Sequence, residues 1–165
     1  MSSHYDLHIL RHAHALDTSK YADIDRPLSP RGIQQCEDLA YYLHQHQIKF
    51  EYCLTSTATR AMTTAVRVLT QMSYQTQILH CDPILYEARY QTILETIQQI
   101  PADYHQVLIT GHNHSLQDLV HYLTHDDDYI LHKAERVQIQ CKITDRSQIT
   151  DTQAHIVQSW RPQSH

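Results

Sequence analysis

Tyr5-Asp6-Leu7-His8-Ile9-Leu10 runs straight into Arg11-His12-Ala13-His14. The first six residues, apolar at Leu7, Ile9 and Leu10, suit a short β-strand, and the polar string after them reads as a loop that carries chemistry. The same succession recurs down the chain. Ser29 suits a helix N-cap with Pro30 at the first helical position, and Ile33, Cys36, Leu39, Ala40 and Leu43 follow at amphipathic spacing, ending near His46. Phe50 to Leu54 is a second strand; the hydroxyls Thr55-Ser56-Thr57 lead into a helix marked by Ala61, Met62, Ala65, Val66, Leu69 and Met72. Gln77 to Cys81 reads as a weak strand, Asp82 to Glu87 as a loop, and Ile93, Leu94 and Ile97 as a short helix stopped by Pro101. Gln106 to Thr110 is the clearest buried strand, and Gly111-His112-Asn113-His114 turns from it into a helix with Leu116, Leu119, Val120 and Leu123 on one face.

Beyond Tyr129 the period changes to two. Val137, Ile139, Cys141 and Ile143 alternate with Gln138, Gln140 and Lys142, as in a half-exposed strand, and a strand through His155-Ile156-Val157 is expected to pair back on it as an antiparallel hairpin. Repeated strand-helix units followed by terminal strands predict an α/β fold: a three-layer α/β/α sandwich whose sheet is mostly parallel with an antiparallel edge.

Composition narrows the function classes. At 165 residues with 41% apolar and 19% charged content, a single domain over 1–165 is expected. No apolar run approaches the roughly 20 residues that span a bilayer, and no secretory pattern opens the chain, so the expectation is a cytoplasmic protein without a membrane segment. Thirteen Lys and Arg against 18 Asp and Glu give −5, with no basic run; a nucleic-acid surface is not expected, and basic or neutral partner surfaces are favoured. Cys36, Cys53, Cys81 and Cys141 stand apart in apolar segments and read as reduced core residues. Of the 15 histidines, His44, His46, His80, His105, His121, His125, His132 and His165 are scattered among polar residues and suit surface or half-buried positions. With only two glycines, Gly32 and Gly111 are expected where the backbone demands them.

In a parallel sheet the loops leaving the carboxyl ends of the strands share one edge, where ligands bind. Those loops carry Arg11, His12 and His14; Ser56, Thr57 and Arg60; Glu87; and His112, Asn113 and His114. Guanidinium forks match phosphate oxygens, so the assembled edge suits a phosphoryl group. Ser56 serves either that group or the cap of the next helix; Asp25 and Arg31 read most simply as bracing their loop, and Arg26 suits either role. His14 and His114 read as a pocket rim and a surface residue at a helix start.

Leu10-Arg11-His12-Ala13, Asp25-Arg26-Pro27-Leu28-Ser29-Pro30-Arg31-Gly32, Thr55-Ser56-Thr57-Ala58-Thr59-Arg60-Ala61, Leu85-Tyr86-Glu87-Ala88 and Gly111-His112-Asn113 together resemble successive blocks of the histidine phosphatase superfamily (phosphoglycerate mutase-like), in its small SixA-like branch. Ala13 stands where the broader superfamily has glycine, and His114 where proline is common in the branch. The resemblance implies a phosphatase without metal or cofactor, in which His12 attacks phosphorus, Arg11, Arg60 and His112 grip the phosphoryl oxygens, and Glu87 donates a proton to the leaving group and then serves as base for water. It implies as substrate a phosphorylated protein, such as a His-containing phosphotransfer domain, or a small phosphoester or phosphoramidate. The absence of large insertions favours hydrolysis over a mutase reaction and an open site suited to a protein surface. Two other classes stay open at this point: a metal-dependent hydrolase using the HxH pairs His12/His14 and His112/His114, and a domain that binds a phosphorylated ligand without turnover.

Overall fold

A computed structural model of the chain describes residues 4–73, 76–151 and 154–163; His165 lies outside them. Strand β1 (Tyr5–Arg11) is followed by α1 (Pro30–Gln45), β2 (Tyr52–Thr55), α2 (Thr59–Gln71), β3 (Leu79–Cys81), α3 (Tyr90–Gln98), β4 (Gln106–Gly111), α4 (Ser115–Thr124), β5 (Arg136–Cys141) and β6 (Ala154–Trp160). The six strands form one sheet in the order β3-β2-β4-β1-β5-β6. β1, β2, β3 and β4 run parallel, and β5 lies antiparallel to both β1 and β6. The expected hairpin is therefore present at one edge of a mostly parallel sheet.

Alternation along the central strands divides the core into two layers. Leu7, Ile9, Leu54, Val107 and Ile109 face α3 and α4, packing on Ile93, Ile97, Leu116 and Val120. Leu10, Cys53 and Leu108 face α1 and α2, packing on Cys36, Leu39, Leu43, Val68 and Leu69. Truncating a fully buried member such as Leu108 to Ala would cost roughly 2–5 kcal/mol.

Local chemistry starts α1 as expected: the Ser29 side chain accepts from the Gly32 amide, with Pro30 in the first turn. Gly32 is required by contact, since a Cβ there would stand 2.0 Å from the His14 carbonyl oxygen. Gly111 is not comparably constrained; the atoms nearest a Cβ there would be those of the Leu116 side chain, at 3.6 Å or more. Three further expectations need correction. Cys81 is exposed rather than core, because β3 is an edge strand of three residues. The polar face of β5 is only partly open to water: Gln138 and Gln140 are half-buried between buried neighbours, and Arg136 at the head of the strand is fully buried. Ser56 accepts the Ala58 amide at 3.2 Å, yet α2 has Ala58 as N-cap with no side-chain cap.

Candidate active site

β1 and β4 are neighbours and point the same way, so their carboxyl ends deliver Arg11-His12 and His112 side by side. The His12 amide donates to the Gly111 carbonyl at 3.0 Å, and the Ala134 amide donates to the carbonyls of Arg11 and His12, each at 3.1 Å. Backbone bonds from two sides thus fix the loop. The His12 ring is buried and its Nδ1 lies 2.8 Å from the Ala13 carbonyl oxygen. A carbonyl only accepts, so Nδ1 carries the proton and Nε2 carries the lone pair. Burial pushes the His12 pKa down to about 3, with His112, Arg60 and Arg11 adding to the effect against the Ala13 bond. At neutral pH the ring is a neutral base.

His112 is half-buried, its ring centroid 5.4 Å from that of His12. Its Nε2 is hydrogen-bonded to Ser56 Oγ at 2.9 Å, while Nδ1 is enclosed without a partner among the described residues. Burial, then the Arg60 charge, lowers its pKa to about 4, with Asp23 opposing. Ser56, which sequence reading left between two roles, therefore orients a site imidazole.

Arg60 enters from the first turn of α2 and is buried. Its guanidinium donates to the Asp23 carbonyl at 2.6 Å and to Asp23 Oδ2 at 3.1 Å. Asp23 sits in a loop closed at its base by the Leu16 amide on the Pro27 carbonyl and the Ser29 amide on the His14 carbonyl. The Tyr86 hydroxyl also donates to Asp23 Oδ2, and Arg26 Nε to Oδ1. The Tyr86 bond, followed by Arg60, holds the Asp23 carboxyl down at about 2. Asp23 and Tyr86 are the site residues that sequence reading missed: a loop carboxylate with no periodic neighbours gives no signal until the loop is folded over the strand ends. Arg26 both braces the loop, through Asp23 and the Leu16 carbonyl, and lines a cleft. Arg31, expected to brace it, instead lines a cleft beside the site.

Arg11, His12, Arg60 and His112 are thus brought to one place. Arg11 is half-buried, anchored through Nη1 to the Leu131 carbonyl at 3.1 Å. Glu87 is not tied to them: it is exposed on the turn after Tyr86, with φ 62, and makes no hydrogen bond or ion pair among the described residues. The HxH pairs diverge. His14 Nδ1 is bonded to Ser29 Oγ at 2.7 Å, His114 is exposed at the start of α4, and no group of three or more potential metal ligands is gathered among the described residues. No helix there is long and apolar enough to cross a membrane.

The family model for the histidine phosphatase superfamily (branch 1) matches residues 7–93, which include Arg11, His12, Arg60 and Glu87. The chain belongs to this superfamily. Two uncharacterised proteins, one from each of two strains of Mycobacterium tuberculosis, are each 31% identical over 103 residues, a stretch that spans 62% of this chain and 62% of the relative. Several solved structures align over nearly the full length. The SixA protein of Nakamurella multipartitia superposes with a TM-score of 0.84 at 20% identity, covering 99% of each chain. The protein histidine phosphatase SixA complexed with tungstate gives 0.81 at 18% identity, covering 94% of this chain and 96% of that one. A mycobacterial glucosyl-3-phosphoglycerate phosphatase gives 0.66 at 14% identity over 93% and 97%. At these identities the likeness is one of fold.

Proposed function

We propose that this member of the superfamily is a phosphatase acting on protein phosphohistidine through a covalent intermediate on His12. The observation that carries the reading is the His12 tautomer: Nδ1–H is committed to the Ala13 carbonyl, so Nε2 keeps its lone pair on a ring that lies beside His112 and within the field of Arg60 and Arg11. In the first step Nε2 forms a bond to phosphorus as the substrate's P–N bond breaks, and the departing imidazole takes up a proton. In the second, water attacks phosphorus, the Nε2–P bond breaks, and His12 is restored with release of inorganic phosphate. Charge on the equatorial phosphoryl oxygens is met by Arg60 and Arg11, whose Nε atoms are enclosed and unpartnered among the described residues, and by His112. Arrival of the anion raises the His112 pKa from its low value, so this ring supplies an N–H or a full charge where oxygen charge develops. Glu87 is assigned as the proton donor and water base at the outer edge, a role that an easily expelled imidazole makes less demanding.

The SixA relatives and the open clefts beside His12 support a protein substrate, with a His-containing phosphotransfer domain as the candidate partner. The free buried thiols Cys36, Cys53 and Cys141 suit a reducing, cytoplasmic setting. The test is rapid quench in chelator, with a labelled phosphohistidine-bearing phosphotransfer domain as phosphoryl donor. Acid-labile, base-stable label on wild type and none on His12→Ala is the expected result. Release of phosphate by His12→Ala at the wild-type rate defeats the mechanism. Arg60→Ala should lower kcat/KM about 10²- to 10³-fold by removing a fixed cation from the transition state.

A further inference from the structure

The charge of the whole chain, −5, suggests basic or neutral partner surfaces, but the ground beside the site has the opposite sign. A cleft of about 790 Å³ is lined by Arg11, His14, Arg31, His132, Lys133 and Arg161. A second shares His14 and Lys133 with it and adds Arg26. Asp23 pairs with Arg26, but the carboxylates nearby leave Arg31, Lys133 and Arg161 without an ion-pair partner among the described residues. Asp23 is engaged by Arg60, Arg26 and Tyr86; Glu135 is buried against His132 and the Tyr129 hydroxyl; Asp17 alone faces Lys133. The side chains of Arg31, Lys133 and Arg161 make no hydrogen bond or ion pair among the described residues. Like charges held together without counter-charges raise one another's energy, which shows in the Lys133 ammonium: burial, then Arg11, Arg26 and Arg31, lowers its pKa. An anionic partner relieves that repulsion.

We propose that this cleft is a docking groove for acidic side chains flanking the phosphohistidine of the protein substrate, an inference that rests on the phosphatase reading above. Arg11 belongs both to the catalytic cluster and to the groove wall, so an acidic segment lying in the groove adjoins the phosphoryl group on His12. The groove is open, and its outer cations Arg31, Lys133 and Arg161 are exposed. Exposed long cations steer and select a charged protein surface; a pocket for a small second anion would place enclosed polar groups around it.

The test uses the full chain and three synthetic phosphohistidine peptides, identical except for flanking Glu, Gln or Lys, with phosphoramidate as a probe that has no flanks. Wild type should favour the Glu-flanked over the Gln-flanked peptide about tenfold in kcat/KM at low salt, and the preference should shrink as salt shortens the reach of the charges. Arg31→Glu/Lys133→Glu/Arg161→Glu should reverse that order while phosphoramidate turnover stays within about twofold, since none of the three touches the phosphoryl group. Lys133→Gln alone should reduce the preference part-way, which keeps the idea testable if the triple variant does not fold. Equal rates on Glu- and Gln-flanked peptides, or equal losses on every substrate in the triple variant, overturn the groove. A stronger preference for a small bisphosphate than for the Glu-flanked peptide also overturns it. Phosphoramidate hydrolysis without a flank preference defeats this inference alone; no hydrolysis of any substrate defeats the phosphatase reading as well.

Discussion

His8 and His12 stand four residues apart, one in the middle of β1 and one just past its end, and burial is the main cause of a lowered pKa in both, to about 4 and about 3. Their wiring separates them. His8 uses both nitrogens: Nε2–H meets Gln106 Oε1 at 2.9 Å, and Nδ1 accepts from Arg136 Nη1 at 2.9 Å. Gln106 and Gln138 in turn donate to Asp6, and Arg136 reaches Gln158 on β6. The result is a polar belt across the inner strands with no lone pair to spare. His12 commits only Nδ1 and keeps Nε2. A depressed pKa by itself therefore does not mark a nucleophile; an unspent lone pair at the open end of a strand does.

Replacing each histidine in turn should separate rate from stability. His12→Ala is expected to lower turnover by about 10⁴-fold or more while the fold survives, because it removes the proposed nucleophile at a loop. His8→Leu should leave kcat per folded molecule within about twofold yet destabilise the protein by roughly 2–4 kcal/mol, since Arg136 and Gln106 would lose a buried partner. Urea unfolding with parallel phosphoramidate kinetics measures both. A His8→Leu enzyme that is stable but slow would mean that the belt positions the catalytic loop rather than merely holding the sheet together.

Acid should expose what the two rings share. Their folded pKa values, and that of His112 at about 4, lie below the reference 6.5. Between those values the unfolded chain binds protons that the folded chain does not. The stability associated with neutral burial is thus complete above 6.5 and is lost as pH falls toward the folded values, by at most about 1.4 kcal/mol per pH unit for each ring. Denaturation midpoints measured between neutral pH and pH 4.5 should fall, and His8→Leu should flatten the slope by about one proton. A slope unchanged in that variant would place the lost proton elsewhere.

The strand-helix rhythm was legible because apolar periodicity, the Ser29-Pro30 start of α1 and the polar exits of the strands all reflect local physics. Arg11, His12, Arg60 and His112 could be named because they follow strands directly or open a helix, so position in the sheet accounts for their meeting. His8 and Arg136 were not legible as buried groups: period two assigns them to the α1 and α2 side of the sheet, but only the assembled belt shows that this side stays closed over them. Asp23 was missed for a related reason. Its loop has no period, and its course is set by distant contacts with Arg60 and Tyr86.

Glu87 offers the smallest and most discriminating test of the contrast between wired and exposed groups. It sits at φ 62 in the left-handed region and is exposed, unlike the enclosed cations across the site. An imidazole leaving from phosphorus needs little protonation by the enzyme, whereas an alkoxide needs a great deal. Glu87→Gln should therefore change kcat on a phosphohistidine peptide by less than about threefold while lowering it tenfold or more on an alkyl phosphate ester. A large loss on the peptide would make Glu87 a required acid and shift the substrate toward an ester. No loss on either would leave its carboxylate without a part in the proton transfers, and the water of the second step would have to give its proton to a group nearer His12.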